Sequence, residues 1–417
     1  MEGERRSSTK CPSVTVEQFV SMTSLLIDME KEAEIAASLS LSSSRSTDTF
    51  QKGQNTILNL RCSGVQTGLM GKTLVELQSN KGDVLPVHKF TPHDVVVLKP
   101  NKAEHDLCLL GQGVVYCLKD ASITIAFDEA PEDGLNSPLR LEKIANEVTY
   151  CKMKDALVAL SKQNGPAIDV ISVLFGEKPP LFSKNIMQFT PFNKNLDHSQ
   201  RDAISRALSS RNVFLLHGPP GTGKTTTIVE IILQEVKRGS KVLACAASNI
   251  AVDNIVERLF PYRVRMVRLG HPARLLPQVL ESSLDALVLR GDNSALAKDI
   301  RKEMKVLNGK MLKSKDRSTK KEIRKELRVL AKEERRRQQL AVTDVLKNSD
   351  VVLTTLIGAS SLKLEKINFD LIIIDEAAQA LEVACWIAIL KGSRCILAGD
   401  HFQLPLLSKA FKLRKKV

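Results

Sequence analysis

The chain of 417 residues has room for two or three domains, and its 61 Lys and Arg against 47 Asp and Glu give a formal net charge of +14. No apolar run reaches the 18 residues of a membrane-spanning helix, and the N-terminus lacks the basic, apolar and small-residue pattern of a signal peptide. We therefore expect a protein of the cytoplasm, the nucleus or both, without a membrane partner.

The first 14 residues are polar and predict a disordered tail. Thr15 and Gln18 then form a capping-box pattern, which predicts a helix from about Thr15 to Ser38. Apolar residues recur along it at helical spacing, namely Phe19, Met22, Leu26 and Met29. The Ser-rich stretch from residue 38 to 49 predicts a linker.

Short apolar or alternating runs between residues 56 and 128 predict strands, because Gly, Pro, Asn and Asp separate them. The runs are Ile57–Cys62, Lys72–Leu77, Asp94–Leu98, Gly113–Leu118 and Ser122–Phe127. About five or six strands at this spacing favour a small barrel. Barrels of this kind often bind single strands, but the aromatic content is low, so a structural or gating role fits equally well.

Helical periodicity returns from Leu141 to Leu160, where Ile144, Val148, Cys151 and Leu157 share one face. This second helix is expected to pair with the first one across the barrel as a two-helix stalk. The eight cysteines of the chain include no C-x-x-C pair, which predicts reduced, mostly buried thiols of an intracellular protein and no zinc site.

The strongest motif begins at His217, between the apolar run Val213–Leu216 and a helical pattern. It matches G-x-x-x-x-G-K-[ST] in the strand-to-helix context that this phosphate-binding loop requires. We expect Lys224 to reach the β- and γ-phosphates of ATP and Thr225 to ligate Mg²⁺. The predicted nucleotide-binding residues are Gly218, Pro219, Pro220, Gly221, Thr222, Gly223, Lys224, Thr225 and Thr226.

A second motif follows about 150 residues later, where Asp375 and Glu376 end the apolar run Leu371–Ile374. A continuous apolar run is typical of a parallel strand that is buried on both faces. We expect Asp375 to hold Mg²⁺ through water and Glu376 to orient and deprotonate the attacking water.

Three further sites are expected from their position relative to these motifs. The Gln200 amide, just ahead of the phosphate loop, suits the edge of adenine. Ser248 and Asn249 follow the strand Lys241–Ala246 and suit either a nucleic-acid phosphate or a plain helix cap. Gln403 follows the strand Cys395–Ala398 and is expected to face the γ-phosphate.

Between Lys298 and Arg337 the chain has 17 Lys and Arg against 7 Asp and Glu, so this stretch supplies +10 of the net charge. Two apolar stripes at helical spacing, separated by the polar break Lys313–Lys320, predict an antiparallel helical hairpin. Its positive faces suit nucleic acid, whereas a solvated helical surface is the alternative.

Strands that alternate with helices and carry polar motifs at their carboxyl ends predict an α/β fold with a doubly wound parallel sheet. The assembled motifs resemble those of superfamily-1 helicases of the Upf1-like group. The resemblance rests on Leu196–Gln200, Gly218–Thr225, Ser248–Asn254, Val267–Arg274, Asp375–Gln379 and Gly399–Pro405. It implies a RecA-like P-loop NTPase domain into which the barrel on its stalk and the helical hairpin are inserted.

The resemblance also implies a motor that moves 5′ to 3′ on single-stranded RNA or DNA with ATP and Mg²⁺ as cofactors. Lys224, Asp375, Glu376 and Gln403 would then be catalytic, Gln200 would read adenine, and Ser248, Asn249 and Thr355 would lie near the nucleic-acid backbone. Implied partners include a ribosome or ribonucleoprotein, and the oligomeric state stays open. Small departures are Ala247, Phe402 and Leu406, where the family usually has Pro, Lys and Pro.

These expectations divide the chain as follows: a disordered tail (1–14), stalk helix and linker (15–50), barrel (51–135), stalk helix and connector (136–180), RecA-like domain (181–290), basic helical insertion (291–345), RecA-like domain, second part (346–410), and basic tail (411–417). The second RecA-like domain of the family is expected to be absent. Since that domain supplies arginines to the ATP site, slow hydrolysis is expected. The alternatives are a non-catalytic module that binds ATP and nucleic acid, and a protein-remodelling P-loop ATPase.

Overall fold

The structure is a computed structural model, and chain contacts divide it into two compact units that are described separately here. The first unit comprises Met1–Glu30, Thr149–Met266 and Ser349–Lys412, and the second comprises Lys31–Val148, Val267–Asn348 and Leu413–Val417. The described residues are 14–43, 56–67, 73–79, 84–86, 88, 90–91, 94–101, 110–127, 135, 137–143, 147–184, 187–270, 276–290, 299–300, 302–304, 306–307, 310 and 317–403. Residues 1–13 of the predicted tail 1–14, and the whole predicted tail 411–417, therefore lie outside the description.

The second unit contains the predicted barrel, which is closed and antiparallel with strand order β1-β2-β5-β4-β3-β6. Its strands are β1 Thr56–Thr67, β2 Thr73–Ser79, β3 Val95–Pro100, β4 Gly111–Leu118, β5 Ser122–Phe127 and β6 Leu139–Lys143. Alternate apolar side chains point inward and are fully buried, among them Leu60, Leu77 and Ile125. The rings of Phe90 and Phe127 belong to the same core, so neither offers a surface for base stacking.

The sixth strand lies where the second stalk helix was predicted to begin. Leu141 belongs to β6, which pairs with both β1 and β3 and so closes the barrel. The helix itself, α2, starts later and spans Glu147–Ser161. The prediction was wrong at this boundary. Leu139 and Leu141 alternate with polar residues at a period of two, which is the period of a strand. A run this short does not distinguish that period from the start of an amphipathic helix. The predicted helix face is also incomplete, since Cys151 is exposed.

The first helix, α1, spans Val16–Ser43 and is longer than predicted. Its capping box is confirmed: the Gln18 backbone N–H donates to the Thr15 hydroxyl over 3.3 Å, and the Thr15 N–H donates to the Gln18 side chain over 3.1 Å. Serine costs a helix only a few tenths of a kcal/mol relative to alanine, which explains why the Ser-rich stretch did not end it at residue 38.

The apolar stripe predicted on α1 is largely exposed, because Met22, Leu26 and Met29 are each 48–59% accessible, whereas Val16 and Ile27 are buried. Within the first unit, the two stalk helices meet where Lys154 donates to Asp28 over 2.6 Å. The start of α1 is also anchored by Phe19, whose ring lies edge-on to the stacked rings of Phe175 and Trp386.

The large sheet has six strands in the order β7-β12-β11-β8-β10-β9. They are β7 Val213–His217, β8 Val242–Ala246, β9 Met266–Arg268, β10 Val351–Thr355, β11 Leu371–Asp375 and β12 Cys395–Gly399. Neighbours from β7 to β10 in that order pair in parallel, which confirms the predicted parallel sheet. The central strands are buried throughout because helices cover both faces of such a sheet.

The remaining helices are α3 Ile168–Leu174, α4 His198–Ser209, α5 Lys224–Lys237, α6 Asn249–Leu259, α7 Leu284–Arg290, α8 Arg317–Asn348 and α9 Glu382–Ile389. The basic stretch is helical as predicted, but α8 starts inside the expected polar break and continues to Asn348. Three residues of the predicted apolar stripes in the basic stretch are buried, namely Met304, Leu307 and Ile323. Among the described residues, no helix has both the length and the apolar character to cross a bilayer.

Six of the cysteines fall within the described residues and all six are free thiols. Cys245, Cys385 and Cys395 are buried, whereas Cys151 is exposed and Cys62 and Cys117 are partly accessible. Burial raises the pKa of the Cys385 thiol to about 12, so it is a poor nucleophile.

We predict that Gly113→Ala destabilises the barrel by about 1–3 kcal/mol, because the added methyl would lie 2.6 Å from Ile125 Cγ2 and 2.9 Å from the Ala126 carbonyl oxygen. Urea unfolding of the full chain measures this loss. Gly64→Ala is the matched control, since the nearest atom to its added methyl is 4.0 Å away. Equal stability of the two variants would contradict the close packing at Gly113.

Candidate nucleotide and nucleic-acid site

The carboxyl ends of the parallel strands place the predicted motifs along one edge of the sheet. Gly399 of β12 lies opposite His217 of β7, and Ala246 of β8 lies between Asp375 of β11 and Thr355 of β10. The hydrogen-bonded register therefore gathers segments that are far apart in the sequence, since His217 and Gly399 are 182 positions apart. Open parallel sheets bind their ligands at this edge.

The phosphate-binding loop connects β7 to α5 and folds as a cradle. Gly221 and Gly223 have φ values of +83° and +79°, which residues with a side chain rarely adopt. The Thr222 hydroxyl donates to the Pro219 carbonyl over 2.8 Å and tightens the turn. Gly223 provides no side-chain cap for α5, so the first N–H groups of this helix point at the space where a phosphate would lie.

The Lys224 side chain is nearly buried and spans the loop. Its ammonium donates to the Gly218 carbonyl over 2.7 Å and lies 3.8 Å from Glu376 Oε1. The cation is therefore held at the mouth of the cradle, between the loop and the predicted acidic pair.

The acidic pair lies at the end of β11 and carries two carboxylates in a partly buried position. Burial, followed by the neighbouring Glu376 charge, raises the pKa of Asp375 to about 6, although the Thr225 hydroxyl hydrogen-bonds its carboxylate. Glu376 has a left-handed backbone with φ of +52°, and its N–H donates to Asp375 Oδ1 over 2.9 Å. Its Oε2 atom is buried without a hydrogen-bond partner among the described residues, a feature that a catalytic role would explain.

Gln403 lies in the loop after β12, where its N–H donates to the Asp400 carbonyl over 3.2 Å. Its side chain accepts a hydrogen bond from the amide of Gln379, which follows the acidic pair. Sequence position alone suggested Gln403, and the structure adds Gln379 as the residue that orients it. The next two residues of this motif lie outside the described part of the chain.

Gln200 is the third residue of α4 and contacts the phosphate loop. Its Nε2 donates to the Thr222 carbonyl over 3.1 Å, and its Oε1 accepts the Asp197 backbone N–H. The Asp197 carboxylate in turn accepts the Gln200 N–H, which completes a capping box. An amide has two donor hydrogens and two acceptor lone pairs, so one of each remains for a base edge.

A cleft of about 220 Å³ lies beside α5, on the side of Thr226. Arg258 reaches across it and donates to the Thr226 hydroxyl over 3.0 Å, while the Tyr262 ring is 38% accessible. Sequence reasoning missed Arg258 and Tyr262, because Arg258 lies in the last turn of α6 and Tyr262 just after it, both outside any motif, and they reach the cleft only through helix packing. The floor includes buried Glu230, whose carboxylate accepts two backbone N–H groups.

Ser248 caps α6, since its hydroxyl accepts the Ala251 N–H over 3.1 Å. The predicted helix cap is therefore present, and the side chain stays exposed to solvent. Asn249 begins the same helix. Thr355 ends β10, and its hydroxyl accepts the Gly358 N–H over 3.2 Å. Ser248, Asn249 and Thr355 lie along the same sheet edge as the phosphate loop. They lie at the ends of β8 and β10, which are farther from β7 in the sheet than β12 and β11 are.

Comparison with known proteins agrees with this arrangement. Residues 195–408, just over half of the chain, match the family model described as an AAA domain, and residues 20–144 match the 1B domain of the helicases SMUBP-2/HCS1. The 1B match covers the barrel, and the AAA match covers the phosphate loop and the acidic pair.

Three similar proteins illustrate the relationship. DNA-binding protein SMUBP-2 of Rattus norvegicus is 44% identical over 405 residues, which are 94% of this chain and 41% of that protein. DNA polymerase alpha-associated DNA helicase A of Schizosaccharomyces pombe is 39% identical over 84% of this chain and 55% of its own length. The Regulator of nonsense transcripts 1 homolog of Drosophila melanogaster is 34% identical over 56% of this chain and 18% of its own length.

The chain thus spans less than half the length of the SMUBP-2 protein that it matches. Within that span, the domain models and the order of the motifs agree with the resemblance seen in the sequence. The chain belongs to the Upf1-like helicase family, with an AAA domain and the 1B domain of the SMUBP-2/HCS1 helicases.

Proposed function

We propose that this chain binds ATP with Mg²⁺ and hydrolyses it in response to single-stranded nucleic acid, as the motor part of a 5′-to-3′ helicase. The observation that carries the proposal is the convergence of Lys224, Thr225, Asp375 and Glu376 at one end of the sheet. A cation beside a phosphate cradle and a carboxylate pair beside a hydroxyl together meet the needs of phosphoryl transfer.

The residues present fit a magnesium ion. Asp375 and the Thr225 hydroxyl are already hydrogen-bonded to each other, which supplies two oxygen ligands on one side of the cradle. The raised pKa of Asp375 reflects a buried carboxylate beside the Glu376 charge that Lys224 compensates only in part, and a divalent cation would add the missing positive charge. The ion would neutralise developing charge on the phosphates.

The chain's own side chains divide the remaining work. Lys224 binds the β- and γ-phosphates once they replace the Gly218 carbonyl as its partner. Glu376 orients the attacking water through the buried Oε2 atom that lacks a partner, and it accepts the proton. Gln403, oriented by Gln379, contacts the γ-phosphate and distinguishes ATP from ADP.

The nucleoside would occupy the cleft beside α5, because this cleft adjoins Thr226, the last residue of the phosphate loop motif. Gln200 offers its free donor and acceptor to adenine from the loop side. Tyr262 supplies a ring for stacking, and the Arg258 guanidinium lies at 3.0 Å from the Thr226 hydroxyl, near the position of the α-phosphate and ribose.

Single-stranded nucleic acid would lie along the ends of β8 and β10, near Ser248, Asn249 and Thr355. Small polar side chains and a helix N-terminus suit phosphates, which serve RNA and DNA alike. The basic helix α8 adds positive charge in the second unit. A ribosome or ribonucleoprotein is the larger partner that this chemistry suits, in the cytoplasm or the nucleus.

We predict ATP turnover by the full chain that single-stranded RNA or DNA stimulates, with a loss of roughly 100-fold or more in Lys224→Ala, because one charge-stabilising donor is removed. A steady-state phosphate-release assay measures the rate. Lys178→Ala is the matched control, since Lys178 forms only an exposed ion pair with Asp169.

Two results would replace the proposed function with an alternative. Bound ATP and RNA without turnover above the Lys224→Ala level would indicate a non-catalytic binding module. Nucleic-acid-independent turnover, without binding of RNA or DNA, would favour a protein-remodelling ATPase.

We predict that Tyr262→Ala weakens ATP binding by roughly 5- to 100-fold, the range for loss of one base-stacking ring, whereas Tyr262→Phe retains it. Fluorescence titration with labelled ATP gives the affinities. Inorganic tripolyphosphate is the control ligand, because it has the phosphates without the nucleoside and should bind all three proteins equally. An equal loss for tripolyphosphate would show that Tyr262 supports the loop instead of the base.

We predict that Asp375→Asn abolishes ATP turnover and yet raises the Tm of the nucleotide-free chain at pH 7.5 by about 2–4 °C. The folded pKa of about 6 exceeds the ordinary aspartate value of 3.8, so the ionised carboxylate destabilises the fold at neutral pH. This cost fades as the pH falls through 6, and the Tm difference should shrink at pH 5.

Thermal unfolding at the two pH values measures the effect. Asp202→Asn is the control, because Asp202 forms an exposed ion pair with Arg206. A Tm for Asp375→Asn that equals or falls below the wild-type value at pH 7.5 would contradict the uncompensated charge at this position.

A further inference from the structure

Two histidines and an aspartate meet at the ends of β7 and β12, outside the predicted magnesium site. His217 Nε2 lies 3.2 Å from Asp400 Oδ1, and the rings of His217 and His401 have their centroids 4.8 Å apart. One donor atom from each of the three side chains lies within 4.8 Å of the other two. Of the described residues, these are the His, Cys, Asp and Glu side chains that cluster closely enough to share a metal ion.

In contrast to the expectation of no zinc site that the cysteines gave, we propose that His217, Asp400 and His401 form a binding site for a transition-metal ion of the zinc class. Two imidazole nitrogens and one carboxylate oxygen are a donor set that Zn²⁺ and Co²⁺ bind well, and three protein ligands leave a fourth position for water. Magnesium is a poor occupant, because it prefers oxygen ligands.

The geometry needs only a small adjustment. Bonds of about 2.0–2.1 Å to a shared ion hold donor atoms roughly 3.3 Å apart, close to the distance between His217 and Asp400. His401 must approach by up to about 1.5 Å, and its exposed side chain can do so by rotating.

The carboxylate is already prepared for a cation. Asp400 is almost fully buried, and its Oδ1 accepts the Phe402 backbone N–H over 3.1 Å and lies 3.2 Å from His217 Nε2. Both histidine rings are accessible to solvent, which gives an ion a path of entry. The Phe402 ring lies against the His401 ring and carries no positive charge that would repel a cation. The Lys224 ammonium does carry a positive charge, and it lies near enough to interact with Asp400.

The position of the site gives it a mechanical consequence. His217 immediately precedes Gly218, whose N–H donates to the Gly399 carbonyl over 3.3 Å at the root of the phosphate loop. His401 lies two residues before Gln403. A bound ion would therefore tie the start of the phosphate loop to the segment that carries Gln403, and restrain both.

The test is titration of the full wild-type chain with Co²⁺ and then Zn²⁺ at pH 7.5, without nucleotide. We expect one ion per chain, a visible Co²⁺ spectrum without a near-ultraviolet thiolate band, and displacement of Co²⁺ by Zn²⁺. His401→Ala should weaken binding by about tenfold or more, since even residues behind the ligands contribute that much. His198→Ala is the matched control, because this exposed histidine begins α4 away from the cluster.

A second measurement guards against misfolded variants. Zn²⁺ should raise the Tm of the wild type and of His198→Ala, but not that of His401→Ala, because an ion that binds only the folded state stabilises it. A thiolate band, unchanged affinity in His401→Ala, or no binding by the wild type would overturn the proposal, and the cluster would then be only a hydrogen-bonded His217–Asp400 pair. Because the assay contains no nucleotide, either result is independent of the proposed ATP hydrolysis.

Discussion

The hydrogen-bonded register of the parallel sheet is the constraint on which the rest of this structure depends. Side chains from five strands reach one edge only because the strands run in the same direction and end at matching positions, such as Gly399 opposite His217 and Asp375 opposite Ala246. A shift by one residue would turn the carboxylate of Asp375 to the other face of the sheet. The hydrogen bonds between the parallel strands hold this register, and burial on both faces leaves the strand ends as the place for polar side chains.

The charged side chains at that edge of the sheet lower the stability of the folded chain and favour the binding of a ligand. Asp375 and Glu376 are adjacent carboxylates in a partly buried place, and Lys224 compensates only part of their charge at 3.8 Å. The packing of the apolar strands behind these carboxylates offsets the loss of stability. Uncompensated charge of this kind is typical of functional sites. A ligand that carries the opposite charge binds favourably there, because it neutralises the excess charge.

The barrel and the sheet show two different uses of apolar side chains. In the barrel they alternate along each strand and fill a closed interior, which includes the rings of Phe90 and Phe127. In the sheet they form continuous runs, which leave the strand ends as the place for polar chemistry.

The sequence by itself determined the parts that depend on local order. The loop from Gly218 to Thr225 needs glycines at fixed spacing, the apolar run before Asp375 needs burial on both faces, and the Thr15–Gln18 capping box forms within one turn. The tertiary structure decided the rest, because pairing and packing join residues that are distant in the chain. It assigned Leu141 to the barrel, exposed one face of α1, and brought Tyr262 to the cleft and His401 to His217.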